Sequence, residues 1–296
     1  MADIGGELLD TRERVVNGED TRMVTVWGRP IRVSVRPGDP EATPLLLLMG
    51  LGGNVEMWEP FRTQLAQRTG ATTVAFDIPG TGDSPAGLSP WPFAALGMLT
   101  MRVADAAGLG RFDVLGLSWG GLLAQQVALT HPCRVRRVVL ANTNFGLGSL
   151  PGNPRAFRVL ATPARYTSPD ALAQAAAVFG GGSGAGAGEH AAARLAKPPT
   201  FRGYYQQILA LAGWSSLPAL PLLRQPALLL AGDDDPVIPM LNPRLMARLI
   251  PRAHLEVVRG GGHLMLFERT AETVEFVAQF LTSSTVARPT AAPRPG

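Results

Sequence analysis

The stretch Gly116-Leu117-Ser118-Trp119-Gly120-Gly121 decides the fold of this chain. It follows a mostly apolar run at 112–115 and precedes a helix-like run at 122–130. This order predicts a strand, a sharp turn and a helix, with a serine at the turn. A Gly-x-Ser-x-Gly match in that setting indicates a nucleophile elbow, where strained backbone points the serine hydroxyl outward. A flexible glycine turn is the alternative, and the flanking strand and helix disfavour it.

Length and composition indicate a globular chain. Its 296 residues are 46% hydrophobic and 17% charged, enough for a full core in one large domain or in one domain with an insertion. No apolar run reaches the ~18–20 residues of a membrane span, so none is expected. The charged N-terminus has no apolar signal segment, and the only cysteine is Cys133, which predicts a cytoplasmic protein.

The charge pattern does not favour a nucleic-acid partner. The formal net charge is +4, but the basic residues are scattered and no basic-aromatic ladder is present.

Apolar runs alternate with helical patterns along the chain, which predicts an α/β fold with a mostly parallel, doubly wound sheet. A hairpin is expected at 23–27 and 31–35. Further strands are expected at 44–49, 72–76, 112–115, 135–141, 227–231 and 255–258. Helices are expected at 58–68, 93–107, 122–130, 241–249 and 271–281.

The alternation stops between 142 and 224, where only helical patches at 171–178 and 204–211 and a glycine-rich stretch at 180–188 appear. We interpret 145–224 as an inserted helical cap and 22–144 with 225–282 as the core. Residues 1–21 are interpreted as a mobile lead-in, the glycine stretch as a surface loop, and 283–296 as a disordered tail.

A serine needs a base and an orienting acid. In proteins with such an elbow the acid follows the serine and the histidine comes last. His263 follows the last predicted strand in a loop and is the predicted base. Asp235, after the strand at 227–231 and before Pro236, is the predicted acid. The other histidines fit less well: His131 is expected to cap a helix, His190 lies in the glycine-rich region and His254 opens a strand.

Two main-chain N–H groups are expected to bind the oxyanion. One belongs to Trp119, directly after the serine. The other belongs to Leu51, in the loop Gly50-Leu51-Gly52-Gly53 after the strand at 44–49. Asp77, at the end of another strand, is interpreted as structural because it precedes the serine and a Pro-Gly-Thr-Gly turn follows it.

Beyond the elbow, the chain resembles the α/β-hydrolases and, within them, the intracellular depolymerases of medium-chain-length polyhydroxyalkanoates. The resemblance covers roughly 22–282. It is carried by 31–54 (IRVSVRPGDPEATPLLLLMGLGGN), 116–126 (GLSWGGLLAQQ), 203–214 (GYYQQILALAGW) and 229–242 (LLAGDDDPVIPMLN).

The resemblance implies a cofactor-free serine esterase that cleaves a hydrophobic polyester to 3-hydroxy acids, with the granule surface as a partner. Aromatic residues of the cap are candidate substrate contacts, although their helical spacing is also typical of a cap core: Phe145, Phe157, Phe179, Tyr204, Tyr205 and Trp214.

Other functions stay open on the sequence. A hydrolase of small soluble esters or lactones would use the same triad. A carbon–carbon bond hydrolase and a cofactor-free haloperoxidase share the fold and the serine. A haloalkane dehalogenase is disfavoured because its nucleophile is an aspartate. A non-catalytic binding protein or a granule-coat protein is disfavoured because all three triad candidates are present and no long amphipathic stretch appears.

Overall fold

Nine strands form the sheet at the centre of the molecule. The computed structural model describes residues 14–16, 19–179 and 187–283. The strands are β1 (Arg14–Val16), β2 (Glu19–Val26), β3 (Arg29–Arg36), β4 (Leu45–Leu48), β5 (Thr73–Phe76), β6 (Phe112–Leu117), β7 (Val135–Ala141), β8 (Ala227–Gly232) and β9 (Ala253–Val258). Their spatial order is β1-β2-β3-β5-β4-β6-β7-β8-β9.

The sheet is parallel from β5 to β9 and antiparallel from β1 through the β3–β5 pair. This confirms the predicted α/β architecture with a mostly parallel sheet. In β4, Leu46 pairs with Val74 of β5 on one side and with Val114 of β6 on the other. All four leucines of β4 are at most 2% exposed, because helices cover both faces of the sheet.

Helices flank the sheet on both sides, over two apolar layers. The helices of the described residues, of which α4 to α7 form the cap, are α1 (Phe61–Thr69), α2 (Phe93–Ala106), α3 (Trp119–Thr130), α4 (Pro154–Leu160), α5 (Pro169–Phe179), α6 (Ala187–Ala196), α7 (Phe201–Ala210), α8 (Leu241–Leu249), α9 (Met265–Glu268) and α10 (Thr270–Thr282). Short 3-10 helices cover Val55–Trp58, Pro163–Tyr166 and Leu217–Leu222. His131 is the C-cap of α3, as predicted, and the exposed Cys133 follows it.

The crevice for a ligand follows from the strand order. From β4 the chain crosses to β5 on one side, whereas β6 lies on the other side of β4. The loops that leave the carboxyl ends of β4 and β6 therefore diverge, and ligands of open α/β sheets bind at such a point. Leu51 and Ser118 lie in these two loops.

Helices α4 to α7 lie between β7 and β8 in the chain, where the sequence predicts a cap. At Gly203, helix α7 approaches the core backbone to backbone: a Cβ on Gly203 would lie 2.3 Å from the Cα of Gly80. Thr200 stabilises this contact, because its Oγ1 accepts from Gly203 N at 3.0 Å and its N donates to Gly80 O at 2.9 Å. Only glycine fits at either position.

Ion pairs also fasten the cap to the core. Lys197, just after α6, contacts Glu56 Oε1 at 2.9 Å and Asp83 Oδ2 at 2.6 Å. Arg32 Nη2 contacts the same Glu56 oxygen at 2.7 Å. Burial opposes ionisation of Glu56, but hydrogen bonds from Arg32 and Lys197 outweigh it and lower its pKa to about 2.

Asp77 has the structural position expected from the sequence. Its Oδ1 accepts from Val55 N at 2.8 Å and its Oδ2 from Asp83 N at 3.0 Å. Burial raises the pKa of this carboxyl to about 6. Its carboxylate fills the space that a side chain on Gly82 would need, since the nearest Asp77 oxygen is 2.0 Å from an added Cβ.

Some elements differ from the sequence expectation. Residues 14–16 and 19–21, expected in the lead-in, lie in β1 and β2, because they pair in register with one another and β2 pairs with β3. Helices α4 and α6 were not predicted. The rest of the lead-in, the stretch 180–186 and the tail from 284 onward lie outside the described residues. No helix in the described part of the chain is long and apolar enough to cross a membrane.

Candidate active site

Ser118 occupies a strained turn between β6 and α3. Its backbone has φ 53° and ψ −116°, outside the regions that L-residues favour. The surrounding glycines make the turn possible: a Cβ on Gly116 would lie 2.2 Å from Gly120 O, and one on Gly120 would lie 2.0 Å from Leu48 O. Thr143 Oγ1 donates to Ser118 O at 2.7 Å and helps to hold the turn. The geometry is that of the predicted nucleophile elbow.

His263 lies beside the serine hydroxyl, with its Nε2 3.0 Å from Ser118 Oγ. Its side chain is only 7% exposed. Asn142, at the end of β7, fixes the loop that carries the imidazole: its Nδ2 donates to Gly262 O at 2.9 Å and to His263 O at 3.0 Å. The backbone N of His263 also donates to Phe179 O of the cap at 2.8 Å.

Asp235 completes a line of hydrogen bonds. Its Oδ2 lies 2.8 Å from His263 Nδ1, and its Oδ1 accepts from Val237 N at 2.7 Å and Ile238 N at 3.0 Å. A carboxylate only accepts, so Nδ1 carries the proton and Nε2 is free to accept from Ser118 Oγ. Such an arrangement can deprotonate the hydroxyl. Asp233 is exposed and accepts from Gly260 N at 2.6 Å.

The two residues predicted to bind the oxyanion lie close to the serine. Leu51 follows β4, Trp119 is the first residue of α3, and both line one cavity with Ser118. Each is also held by the cap: Leu51 O accepts from Tyr166 Oη at 2.6 Å, and Trp119 Nε1 donates to Gln207 O at 3.0 Å.

Two cavities meet at Ser118. The outer cleft has a volume of about 350 Å³ and lies between the core and α4 and α7 of the cap. Its lining is largely apolar and includes Leu122, Phe157, Leu160, Ile208, Val237 and Ile238. The inner cavity is about 30 Å³ and contains both Ser118 and His263. The cleft can receive an apolar chain, and the reacting atoms lie at its floor.

The aromatic candidates of the cap separate into two groups. Phe157 lines the outer cleft and Phe179 the inner cavity. The other four line neither of these two cavities in the described part of the chain, and their role as substrate contacts stays a prediction: Phe145, Tyr204, Tyr205 and Trp214. They pack within the cap and against the core instead, because helical spacing fixes which face is buried but not what covers it.

Tyr204 shows what these side chains do. It is fully buried, its Oη donates to Leu160 O at 2.6 Å, and its ring would lie 2.8 Å from a Cβ on Gly52. Burial raises the pKa of Tyr204 to about 12. Trp214 packs on Phe93, with ring centroids 4.6 Å apart, and its Nε1 donates to Gln126 Oε1 at 2.7 Å.

Sequence reasoning missed the polar residues that support the site, namely Asn142, Arg165, Tyr166 and Gln207. Arg165 is 3% exposed and lines the inner cavity, and its guanidinium lies 4.7 Å from the Tyr166 ring centroid. A buried arginine inside a cap is unusual, but its burial is a property of the fold, and nothing in the sequence distinguishes Arg165 from the other arginines of the cap. No cluster of three or more potential metal ligands occurs among the described residues.

Comparisons with known proteins show the family to which this fold belongs. The family model described as alpha/beta hydrolase fold matches residues 43–270. A poly(3-hydroxyalkanoate) depolymerase of Ectopseudomonas oleovorans is 39% identical over 262 residues, covering 88% of this chain and 92% of the relative.

Two solved structures are also similar. The esterase RhEst1 from Rhodococcus sp. ECU1013 is 25% identical with a TM-score of 0.73, covering 90% of this chain and 100% of that one. The enol-lactonase from Burkholderia xenovorans LB400 is 24% identical, also with a TM-score of 0.73, covering 88% and 100%. The second likeness supports the fold alone.

Proposed function

Because the chain belongs to the α/β-hydrolase family, and within it to the poly(3-hydroxyalkanoate) depolymerases, we propose that it hydrolyses the ester bonds of a medium-chain-length polyhydroxyalkanoate. The observation that carries the proposal is the hydrogen-bonded line from Asp235 through His263 to Ser118 Oγ, on a strained elbow at the floor of an apolar cleft. Membership of this family makes the chain a carboxylic ester hydrolase. The proposal goes beyond the family in naming a polymer as the substrate.

The proposed reaction has two stages. His263 Nε2 takes the proton of Ser118 as Oγ attacks the ester carbonyl, and the amides of Leu51 and Trp119 bind the oxyanion. The ester C–O bond breaks, the departing hydroxyl end takes the proton from His263, and an acyl-enzyme remains. Water then attacks the acyl carbon as His263 takes its proton, the bond from this carbon to Ser118 Oγ breaks, and Oγ takes the proton back as the 3-hydroxy acid is released. Asp235 keeps the imidazole in its working tautomer and stabilises its positive charge.

The surface of the cap supports an insoluble apolar substrate. Among the described residues, large exposed apolar side chains concentrate on the cap and on the adjoining helix α8: Leu147, Leu150, Phe157, Phe201, Leu209, Leu222, Leu241 and Leu245. Exposed apolar surface of this kind marks an interaction site. We therefore include a granule surface in the proposal, and we add a cytoplasmic location because the chain is related to a poly(3-hydroxyalkanoate) depolymerase.

The test compares an amorphous medium-chain polyester suspension with p-nitrophenyl octanoate, for the wild type and Ser118→Ala. We expect release of 3-hydroxy acid from the polymer by the wild type. The variant should lose at least about 10⁴-fold in kcat/KM on the soluble ester, since the nucleophile is gone.

The remaining outcomes separate the alternatives. Ser118-dependent hydrolysis of the soluble ester without polymer clearing would reassign the protein to small esters or lactones. An absence of Ser118-dependent activity on both substrates would reject the acyl-enzyme mechanism.

A further inference from the structure

The loop after β4 needs support from outside itself. It reads Gly50-Leu51-Gly52-Gly53, and Gly52 has φ +75°, a conformation that is costly for other residues. A loop with three glycines has little conformational preference of its own. An oxyanion donor must nevertheless lie within about 2.7–3.1 Å of the developing charge. Something must therefore fix the peptide groups around Leu51.

Three cap side chains bind the peptide group that joins Leu51 to Gly52. Tyr166 Oη donates to Leu51 O at 2.6 Å, and Arg165 Nη2 donates to the same oxygen at 3.2 Å. On the other side of the peptide, Gly52 N donates to Gln207 Oε1 at 3.0 Å. We call these three residues the cap clamp.

Gln207 connects both halves of the oxyanion site. Its side chain accepts from Gly52 N, and its main-chain oxygen accepts from Trp119 Nε1 at 3.0 Å. It is 3% exposed and lines neither cavity among the described residues. Its Nε2 is buried without a hydrogen-bond partner in the described structure. The amide orientation is therefore set by the bond from Gly52 alone.

We propose that the cap clamp, and Gln207 in particular, positions the oxyanion hole, so that the cap supplies part of the catalytic geometry in addition to the walls of the cleft. The inference rests on the proposed function, since it requires Leu51 and Trp119 to be the oxyanion donors. Gln207 and Tyr166 act through the loop and are positioning residues. Misplacement of a catalytic group by about 1 Å can cost about 10²-fold in rate.

The decisive comparison is Gln207→Met against Gln206→Met. Both glutamines are buried on α7, and each makes a hydrogen bond to the core. Gln206 Nε2 donates to Gly87 O at 2.9 Å, far from the oxyanion loop in the chain. Methionine preserves the size of the side chain and removes its hydrogen bond. The pair therefore separates loop positioning from general docking of the cap.

On p-nitrophenyl octanoate we expect Gln207→Met to lower kcat by about 10- to 10²-fold with little change in KM. Binding of 1-octaneboronic acid, which forms a tetrahedral adduct on a serine hydroxyl, should weaken by the same factor, since both need the oxyanion site. Gln206→Met should keep kcat and boronate affinity within about twofold. Tyr166→Phe, which removes a donor to Leu51 O, should resemble Gln207→Met and serves if the first variant does not fold.

An unchanged kcat and boronate affinity in folded Gln207→Met and Tyr166→Phe would overturn the inference. Equal losses of kcat and boronate affinity in both glutamine variants would also overturn it. They would indicate that each glutamine only helps to dock the cap on the core. If Ser118→Ala kept its activity, the proposed function and this inference would fail together, which distinguishes that result from a failure of the clamp.

Discussion

The carboxylate of Asp235 takes part in three hydrogen bonds, which fix its own position and the tautomer of the base. Two come from the backbone N–H groups of Val237 and Ile238 and hold the carboxylate. The third, with His263 Nδ1, sets the tautomer of the base. Asn142 occupies the end of β7, where a carboxylate could also have stood, and its amide binds the loop of His263 instead.

Asp235→Asn should therefore impair His263 as a base while keeping a side chain of similar size at position 235. An amide cannot stabilise the imidazolium and favours the wrong tautomer, so we expect kcat on a soluble ester to fall by about 10⁴-fold. Asp233→Asn is the matched control, because Asp233 is exposed and an amide oxygen can still accept from Gly260 N. Equal activity of the two variants would exclude Asp235 as the orienting acid.

The residues that the structure brings together were predictable to different degrees. Ser118, His263 and Asp235 each follow a recognisable strand, so their approach at one sheet edge follows from topology. The contact of Gln207 with Gly52 joins residues 155 positions apart, and both glutamines of α7 look alike in the sequence. Tyr204 was predicted to be apolar and functional, but only the fold shows that it packs on Gly52.

Among the helices and strands, prediction succeeded best for elements of the core with a clear apolar pattern. Strand Val135–Ala141 and helix Leu241–Leu249 have the bounds expected from the sequence. Helix α4 has seven residues, and the cap also uses 3-10 turns such as Pro163–Tyr166, which are too short for a periodic pattern to develop. Side-chain contacts with the core, such as the ion pairs of Lys197, also hold the cap in place.

One of these contacts gives the molecule an acid-sensitive link between cap and core. The pKa of Glu56 falls from 4.5 to about 2 in the folded protein. Its contribution to the free energy of unfolding is thus complete above pH 4.5 and is lost as the pH falls toward 2. Glu56→Gln should be less stable than the wild type at pH 6. The difference in the free energy of unfolding should disappear as the pH falls from 4.5 to about 2.

Urea midpoints measured at a series of pH values would check this expectation. Glu41→Gln, at an exposed carboxylate, controls for the general effect of removing a charge. A difference between wild type and Glu56→Gln that stays constant from pH 6 to pH 2 would contradict the assigned ion pairs with Arg32 and Lys197.

For the molecule as a whole, we propose that the outer cleft and the exposed apolar residues beside it form one substrate-binding face. Leu150 lies beside α8, since its N and O both bond to the side chain of Asn242 at 2.9 Å. Leu241 is the neighbouring residue and is 59% exposed, and Leu147 is 66% exposed. In the proposed function, these side chains contact the polymer particle while a chain segment enters the cleft.

A triple variant with Leu147→Ser, Leu150→Ser and Leu241→Ser should separate adsorption to the polymer from hydrolysis of the ester. Each leucine that the polymer covers fully contributes about 1.5–3 kcal/mol, so binding to a polyester film should weaken by about 10-fold or more. Hydrolysis of p-nitrophenyl octanoate should stay within about twofold. Met98→Ser, on α2 of the core and 50% exposed, is the control for loss of an exposed apolar side chain. Unchanged film binding by the triple variant would place the adsorbing surface elsewhere.

The position of Cys133 has a practical consequence for such measurements. Ser118 precedes α3 and Cys133 follows it, and a helix of 12 residues spans about 18 Å, so the exposed thiol lies at the opposite edge of the sheet from the cleft. It is also the only thiol in the chain. Coupling of Cys133 to a maleimide surface would attach every molecule through the edge of the sheet opposite the cleft. The cleft would then face the solution, and a sensor surface would present uniformly oriented enzyme to polymer particles.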